Sequence, residues 1–230
     1  MSLCPDQFYA QNVLQCVQSF VDVFNECGEV GAARRILDGE TEFRGGIVGQ
    51  QPERFTEDKL IHPLCEVLDY RGIVAQPADL VPDERRVPDM LIEEFDDECI
   101  CIGEAKRFGF LEETVDSNGQ NIAEREMKTY LQENALAKYK RDLDVTYLVG
   151  IATDGVVWSA LGKQLETEET ANLAQESLDQ TFGQAFLAKQ FPREVAQKWR
   201  VTERKRLVKN FIPLFEASAL KESLLQEFPE

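Results

Sequence analysis

Asp89, Glu104 and Lys106 carry the chemistry that this sequence offers. Asp89 follows Pro88 near the start of an apolar run over 87–95, and Glu104, Ala105 and Lys106 close the next run, which begins at Cys99. Asp96-Asp97 between the runs is a turn signal, so the pair predicts an antiparallel hairpin. Positions equidistant from the turn meet, which sets Asp89 beside Glu104. Glu104 and Lys106 are two apart on one strand and share a face. Two carboxylates that close do not both ionise cheaply. A divalent cation removes the conflict: Mg²⁺ takes octahedral oxygen ligands, keeps several waters, and is held by one or two carboxylates plus a phosphate. Such a site polarises a phosphodiester and supplies or orients water, while Lys106 neutralises charge building on the phosphate or helps activate the water. The plainer account is a surface salt bridge of Asp89 or Glu104 with Lys106. On spacing alone that account is favoured, because Asp-x(n)-Glu-x-Lys is easily met by chance.

Other catalytic machinery is missing. The single histidine, His62, lies mid-helix in Leu60-Ile61-His62-Pro63-Leu64 and reads as structural or surface. There is no G-x-S-x-G nucleophile elbow and no G-x-x-x-x-G-K-[ST] phosphate loop. Six cysteines occur without a CxxC partner or a histidine cluster. Cys99 and Cys101, two apart on a strand, read as small core residues.

The elements that must position the three residues follow from periodicity. Phe8, Val13, Leu14, Val17, Phe20, Val21 and Phe24 predict a helix over 7–28, stopped by Gly28. Gly39, Gly45, Gly46, Gly49 and Pro52 predict a loop over 38–54. Thr56 is placed to cap a second helix with Leu60, Ile61, Leu64, Val67 and Leu68 as its stripe, ending near Tyr70-Arg71-Gly72. A brief strand at 73–75, the hairpin 87–95 and 99–103, a polar loop over 112–119 and a helix over 121–141 follow. The run 146–153 is an apolar strand, and Asp154-Gly155 turns it into a partner strand over 156–161. Beyond 165 the pattern predicts helices alone, near 168–190, 194–209 and 211–228. The chain divides into an N-terminal helix and loop extension (1–54), an α/β core (55–163) and a C-terminal helical extension (164–230).

With 230 residues and 43% hydrophobic content the chain can bury one α/β core with helical additions. No apolar stretch reaches 18 residues, and the first 20 residues lack the basic start and apolar run of a signal peptide, so a cytoplasmic protein is expected. The net charge of −17 conflicts with nucleic-acid binding, where phosphates are met by Lys and Arg. Either the protein binds no DNA or it belongs to a salt-loving cell, in which molar salt screens charge within about 3 Å. The charge is uneven, acidic over 162–180 and basic over 193–209, which favours the halophilic account. Both stretches also read as solvated helix faces. Trp199, with Lys198, Arg200, Arg204, Lys205 and Arg206, is either a backbone-contacting helix or a helix packing Trp199 into the core.

The segment Val87-Pro88-Asp89 … Ile102-Gly103-Glu104-Ala105-Lys106-Arg107 resembles the PD-(D/E)xK nuclease superfamily. More closely, it resembles the nuclease domain at the N-terminus of type I restriction enzyme R subunits. FTEDKLIHPLCEVLDYRG (55–72) looks like the family's first helix, with Asp69 where the family has glycine. EREMKTYLQEN (124–134) looks like the helix after the motif, and TYLVGIATDGVVWSALGK (146–163) like its Thr-Asp-Gly hairpin.

The resemblance covers roughly 55 to 163. It implies a restriction-endonuclease-like mixed β-sheet flanked by helices and Mg²⁺-dependent cleavage of DNA, with Mn²⁺ as substitute. Asp89, Glu104 and the Ala105 carbonyl would be metal ligands, with Lys106 at the water. Glu57 matches an acidic position that assists a metal. The plainer reading of Glu57 is a carboxylate favoured in a first helical turn. Tyr130 fits a supporting Gln-x-x-x-Tyr motif, while Glu126 stands where that motif has glutamine. A carboxylate near a phosphate is unfavourable unless a cation sits between them, which puts DNA contact through Glu126 in doubt. Arg107 and Lys128 are further candidates for DNA contact. The expected protein is an endonuclease of restriction-modification or defence type, standing alone, as a fragment, or beside methylase or helicase subunits. The alternatives are a non-catalytic DNA-binding or assembly subunit that keeps the fold, and an RNA or repair nuclease.

Overall fold

The computed structural model describes residues 5–26, 52–77, 87–111, 122–132, 145–192 and 198–229. A six-stranded mixed sheet is flanked by helices on both faces. Its strands β1 (Ile73–Ala75), β2 (Met90–Asp96), β3 (Cys99–Ala105), β4 (Tyr147–Thr153), β5 (Val157–Gln164) and β6 (Thr170–Ser177) lie side by side in sequence order. All neighbours are antiparallel except β3 and β4, which are parallel. Between those two in the chain comes a helix containing Ile122–Gln132, because parallel neighbours need a crossover. β3 and β4 are buried along their whole length, as strands covered on both faces must be, and both read as near-continuous apolar runs.

Helix α1 (Pro5–Glu26) buries the stripe expected of it, except that Phe8 points to solvent. The expected stop at Gly28 and most of the expected loop 38–54 lie outside the described residues. Helix α2 already begins at Pro52. It runs Pro52–Thr56, then a π turn Glu57–Ile61, then His62–Val67. Thr56 is therefore not a cap. Its backbone is helical, and its hydroxyl accepts the Phe108 N–H at 2.9 Å instead. The π turn has a cause in the sequence. Pro63 has no N–H to give and its ring crowds the carbonyl four residues back. The residue before it, His62, donates five residues back, to Glu57. The same arrangement recurs in α5, which runs Lys198–Arg206, Leu207–Phe211 as a π turn and Ile212–Phe215. There Ile212 donates to Leu207 just before Pro213.

Helix α2 ends earlier than expected, at Val67. The Tyr70 N–H reaches the Cys65 carbonyl at 3.0 Å and the Asp69 N–H reaches Glu66 at 3.2 Å, the two bonds of a Schellman cap. Asp69 takes the left-handed position of that cap, at φ +69°.

The crossover helix, α3, packs Ala123, Met127, Tyr130 and Leu131 over one face of the sheet, against Ile100, Ile102, Leu148, Ala152 and Leu161. Gly150 of β4 permits this approach, since a Cβ there would overlap the Met127 side chain. The helix was expected to reach 141; its residues beyond Gln132, like the expected loop 112–119, fall outside the described residues. The opposite face carries the larger core, with Phe20, Leu60, Leu64, Cys101, Val149, Trp158, Phe182 and Phe215. That core draws on all three expected segments, 1–54, 55–163 and 164–230.

The expected helix over 168–190 is corrected in its first half. Thr170–Ser177 is β6, paired antiparallel to β5, and only Asp179–Gln190 is helical, as α4. TANLAQES has helix-forming composition, and the open edge of β5 overrides it. The last helix, α6, spans Ala217–Glu227. Among the described residues no helix is long and apolar enough to cross a membrane.

Candidate active site

Strand parity places the expected residues on one face. On β3, Ile100 and Ile102 face α3, so Glu104 two residues on and Lys106 after it lie on the α3 side. On β2, Leu91 faces the same way, which sets Asp89 there too. Met90 pairs with Gly103, so the next pair outward is Asp89 and Glu104. That alignment arises by a route the sequence did not suggest. The turn residues are Asp97 and Glu98, one later than expected, with Asp96 opposite Cys99. Continued without a break, that register would set Asp89 opposite Lys106. A bulge between Ile92 and Asp96 takes up the difference and returns Asp89 to Glu104.

Asp89 lies just outside β2. Its carbonyl accepts the Gln76 N–H at 2.8 Å, and its Oδ2 accepts the Ala105 N–H at 2.7 Å. The carboxylate thus sits where a strand partner would be. Lys106 continues the β3–β4 ladder through its N–H, 2.9 Å from the Thr153 carbonyl. Its Nζ lies 2.6 Å from Glu104 Oε1 and 2.8 Å from Glu126 Oε2. Tyr130, one turn beyond Glu126 on α3, donates its hydroxyl to the Val87 carbonyl at 3.3 Å and so holds the approach to Asp89.

The electrostatics follow from burial. Glu104 is 5% exposed, and burial, then Asp89, and also the neighbouring Glu126 carboxyl push it up to about 8 against the pull of Lys106. Burial also raises Asp89, with the Ala105 N–H opposing. Burial works to lower Lys106, but Glu104 and Glu126 outweigh it and hold the ammonium well above its ordinary range. Tyr130 is raised by burial and then by Glu104. A raised carboxyl beside an ammonium is not a contradiction. Glu104 Oε1 receives the ammonium, while Oε2 is buried and meets no hydrogen-bond partner among the described residues. A proton or a cation on Oε2 relieves the excess negative charge.

The first turns of α2 border this group. Glu57, buried at the start of the π turn, is raised by burial and next by Asp89, with Arg54 opposing. Arg54 bonds Glu57 at 3.3 Å and Asp58 at 3.1 Å. Behind the site, Asp154 is fully buried. Its Oδ1 accepts the Val156 and Val157 N–H groups and its Oδ2 accepts Leu111, each at 2.8 Å. Gly155, at φ +84°, makes the turn, where a side chain would be strained and would overlap Leu60. The Thr-Asp-Gly hairpin is therefore a clamp that ties the β4–β5 turn to the chain leaving β3.

Two expected candidates lie apart from the carboxylates. The Arg107 guanidinium stacks 4.6 Å over the Phe110 ring. Lys128 lines a hollow with Leu161, Thr170, Ala171 and Asn172, over β5 and β6. Trp199 is buried against the larger core, and Cys99 and Cys101 are buried in it. Sequence reasoning missed the Arg54 pairing, the Thr56 contact, and Glu124, a buried α3 carboxylate that accepts the Ser159 hydroxyl at 2.5 Å. Charge spacing of three and four along a helix was the available sign for Arg54; nothing in the sequence marked Glu124 as a buried acceptor or joined Thr56 to Phe108.

Among the described residues no group of three or more His, Cys, Asp or Glu side chains forms a metal cluster. Asp89 and Glu104 are a pair, with Glu57 held by Arg54 beside them. Two carboxylates, one with a buried unpartnered oxygen, fit a hard cation that keeps waters and shares its remaining positions with a phosphate. No family model, curated protein or solved structure matches the chain.

Proposed function

We propose that the chain is a metal-dependent endonuclease that hydrolyses DNA phosphodiesters. Its core would be restriction-endonuclease-like, of the PD-(D/E)xK type, and its role restriction or defence. One observation carries the proposal. Asp89 and Glu104 stand side by side, Lys106 Nζ is 2.6 Å from Glu104, and the buried Glu104 Oε2 has no partner among the described residues. The mixed sheet flanked by helices agrees with that core.

Asp89, Glu104 and the Ala105 carbonyl are the groups to hold Mg²⁺ or Mn²⁺, with Glu57 beside them. Such an ion would polarise the phosphate and orient water on it. Asp89 is kept in place by the Ala105 N–H, which bonds one of its two oxygens, Oδ2. Lys106 brings a permanent positive charge to the phosphate as negative charge builds there. Tyr130 steadies Val87 and with it the Asp89 backbone. The net charge of −17 would suit a salt-rich cell, and methylase or helicase subunits would be partners of such an enzyme.

A second reading is a non-catalytic subunit that uses this scaffold for binding or assembly. It is favoured by the pairing of Lys106 with two carboxylates at once, as in a structural ion triad. Purified protein incubated with supercoiled plasmid and Mg²⁺ decides between them. Nicking or linearisation is expected, reduced about a hundredfold or more in Asp89→Ala, Glu104→Ala and Lys106→Ala. Wild-type cutting by Asp89→Ala overturns the assignment, and metal-dependent cleavage of RNA in place of plasmid moves it to an RNA nuclease.

A further inference from the structure

We propose that Glu126 is a positioning residue, the carboxylate that keeps Lys106 at the site when Glu104 turns toward a divalent cation. The inference rests on the nuclease reading and assigns a role to a residue which that reading leaves in conflict with a phosphate.

The geometry supplies the missing cation. Lys106 Nζ lies between the two carboxylates, 2.6 Å from Glu104 and 2.8 Å from Glu126, and its side chain is 12% exposed. Glu126 meets the site through this ammonium and also lies against the Glu104 carboxyl, so the ammonium binds two like charges together. The two anchors differ in kind. Glu104 is the more deeply buried and stands opposite Asp89, so it is the one drawn toward a metal. Glu126 is half-buried on α3, one residue before Met127, which Gly150 admits against β4. Its backbone is fixed by that packing. A carboxylate that moves onto a metal loosens its hold on an ammonium; a carboxylate on a packed helix does not.

Charge agrees with this division. Asp89, Glu104 and Glu126 contribute −3 and Lys106 +1, a net of −2, which one divalent cation neutralises. At the margin Arg54 is shared between Glu57 and Asp58 and offsets one of their two charges. An ammonium has three N–H donors: one goes to Glu104 Oε1, Glu126 is met as an ion pair, and a phosphate oxygen can take a further one. Glutamine at 126 would keep one acceptor and drop the charge. It should hold Lys106 in position, whereas alanine should release it.

The test compares wild type, Glu126→Gln and Glu126→Ala by three measurements. Steady-state cleavage of plasmid should show kcat reduced roughly 10- to 100-fold in E126A with KM little changed, and most of that loss restored in E126Q. Melting with and without millimolar Mg²⁺ should show that E126A keeps the metal-induced rise in Tm, because the metal-holding groups are untouched; a ligand at about 100 Kd stabilises by roughly 2.7 kcal/mol. Nitrogen-15 NMR of the lysine ammonium groups in Mg²⁺-loaded protein, assigned through Lys106→Arg, should show an anchored Lys106 signal in wild type and E126Q and none in E126A. An anchored Lys106 in E126A overturns the proposal, as does wild-type kcat in E126A. So does a Tm response lost together with the rate, which would mark Glu126 as a metal ligand or a fold residue. If wild type cuts nothing, the nuclease reading fails, while the NMR comparison still decides whether Glu126 anchors Lys106.

Discussion

Asp154 Oδ2 accepts the backbone N–H of Leu111 at 2.8 Å, across 43 residues of chain. The other oxygen of the same carboxylate takes two N–H groups of its own turn. Three donors, two of them buried, thus bond one side chain, next to the strand end that carries Glu104 and Lys106.

Asp154→Ala removes the carboxylate that these donors bond. Each buried unsatisfied N–H costs about 1–3 kcal/mol, so the two buried ones predict a loss of at least roughly 2 kcal/mol. Urea denaturation measures it. Asp154→Asn keeps an acceptor for part of the set and should lose less. A loss under about 1 kcal/mol in the alanine variant would show that the clamp does not hold the turn.

Metal-free protein should lose stability as pH rises from about 4.5 to about 8. The sign follows from Glu104, whose carboxyl is raised by burial and by Asp89. The folded state then binds a proton that the unfolded chain has released, a stabilisation present below the unfolded pKa and lost through the folded one. Asp89 and Glu57, also raised, act in the same direction. Glu104→Gln should flatten the decline by on the order of a few kcal/mol across the window. Urea midpoints taken at pH 5, 6, 7, 8 and 9 give the comparison; parallel curves for wild type and variant would place the proton elsewhere.

Asp69 holds the left-handed cap position of α2. Its carboxylate takes two bonds from the exposed Arg71 guanidinium, at 2.9 and 2.7 Å, and an exposed pair contributes little. Glycine meets that backbone without a Cβ penalty. Asp69→Gly should therefore be at least as stable as wild type, and Asp69→Ala about 1 kcal/mol less stable than Asp69→Gly. Thermal melts of the three proteins decide it, and an alanine variant equal to glycine would remove the cap argument.

Thermal stability should rise with KCl into the molar range. A net charge of −17 on 230 residues repels itself at low ionic strength. A Tm that is flat or falling along a KCl series would leave the salt-loving account without support.

Much of the sheet was legible because its inner strands are coded twice. β4 is apolar on both faces, and the Asp154-Gly155 turn marks where it reverses into β5. The pairing of Asp89 with Glu104 was legible by parity, although the turn lay one residue later; the bulge restored the alignment, and no residue type between Ile92 and Asp96 announced it. β6 was illegible because an edge strand with one open face needs little apolar character, and Leu173 and Ala174 are a weak signal inside TANLAQES. Thr56 looked like a cap because hydroxyl residues favour caps, and only the folded neighbour at Phe108 shows where its oxygen is used. The anchoring of Lys106 by Glu126 joins residues 20 apart on a strand end and a helix, which no local pattern encodes.

The π turn of α2 changes what a length mutation there would mean. Such a turn is a helix that has taken in one extra residue. The part ahead of it, with Arg54 and Glu57, is turned by about 100° from where a regular helix would put it. Removing one residue between 57 and 61 would hardly shorten α2. It would spin the N-terminal end about the helix axis, carry Glu57 away from Asp89 and part Thr56 from Phe108, while His62–Val67 kept its place in the core. The facing of this end of the site is thus stored as a residue count, and Pro63 is the residue that keeps the count from being revised.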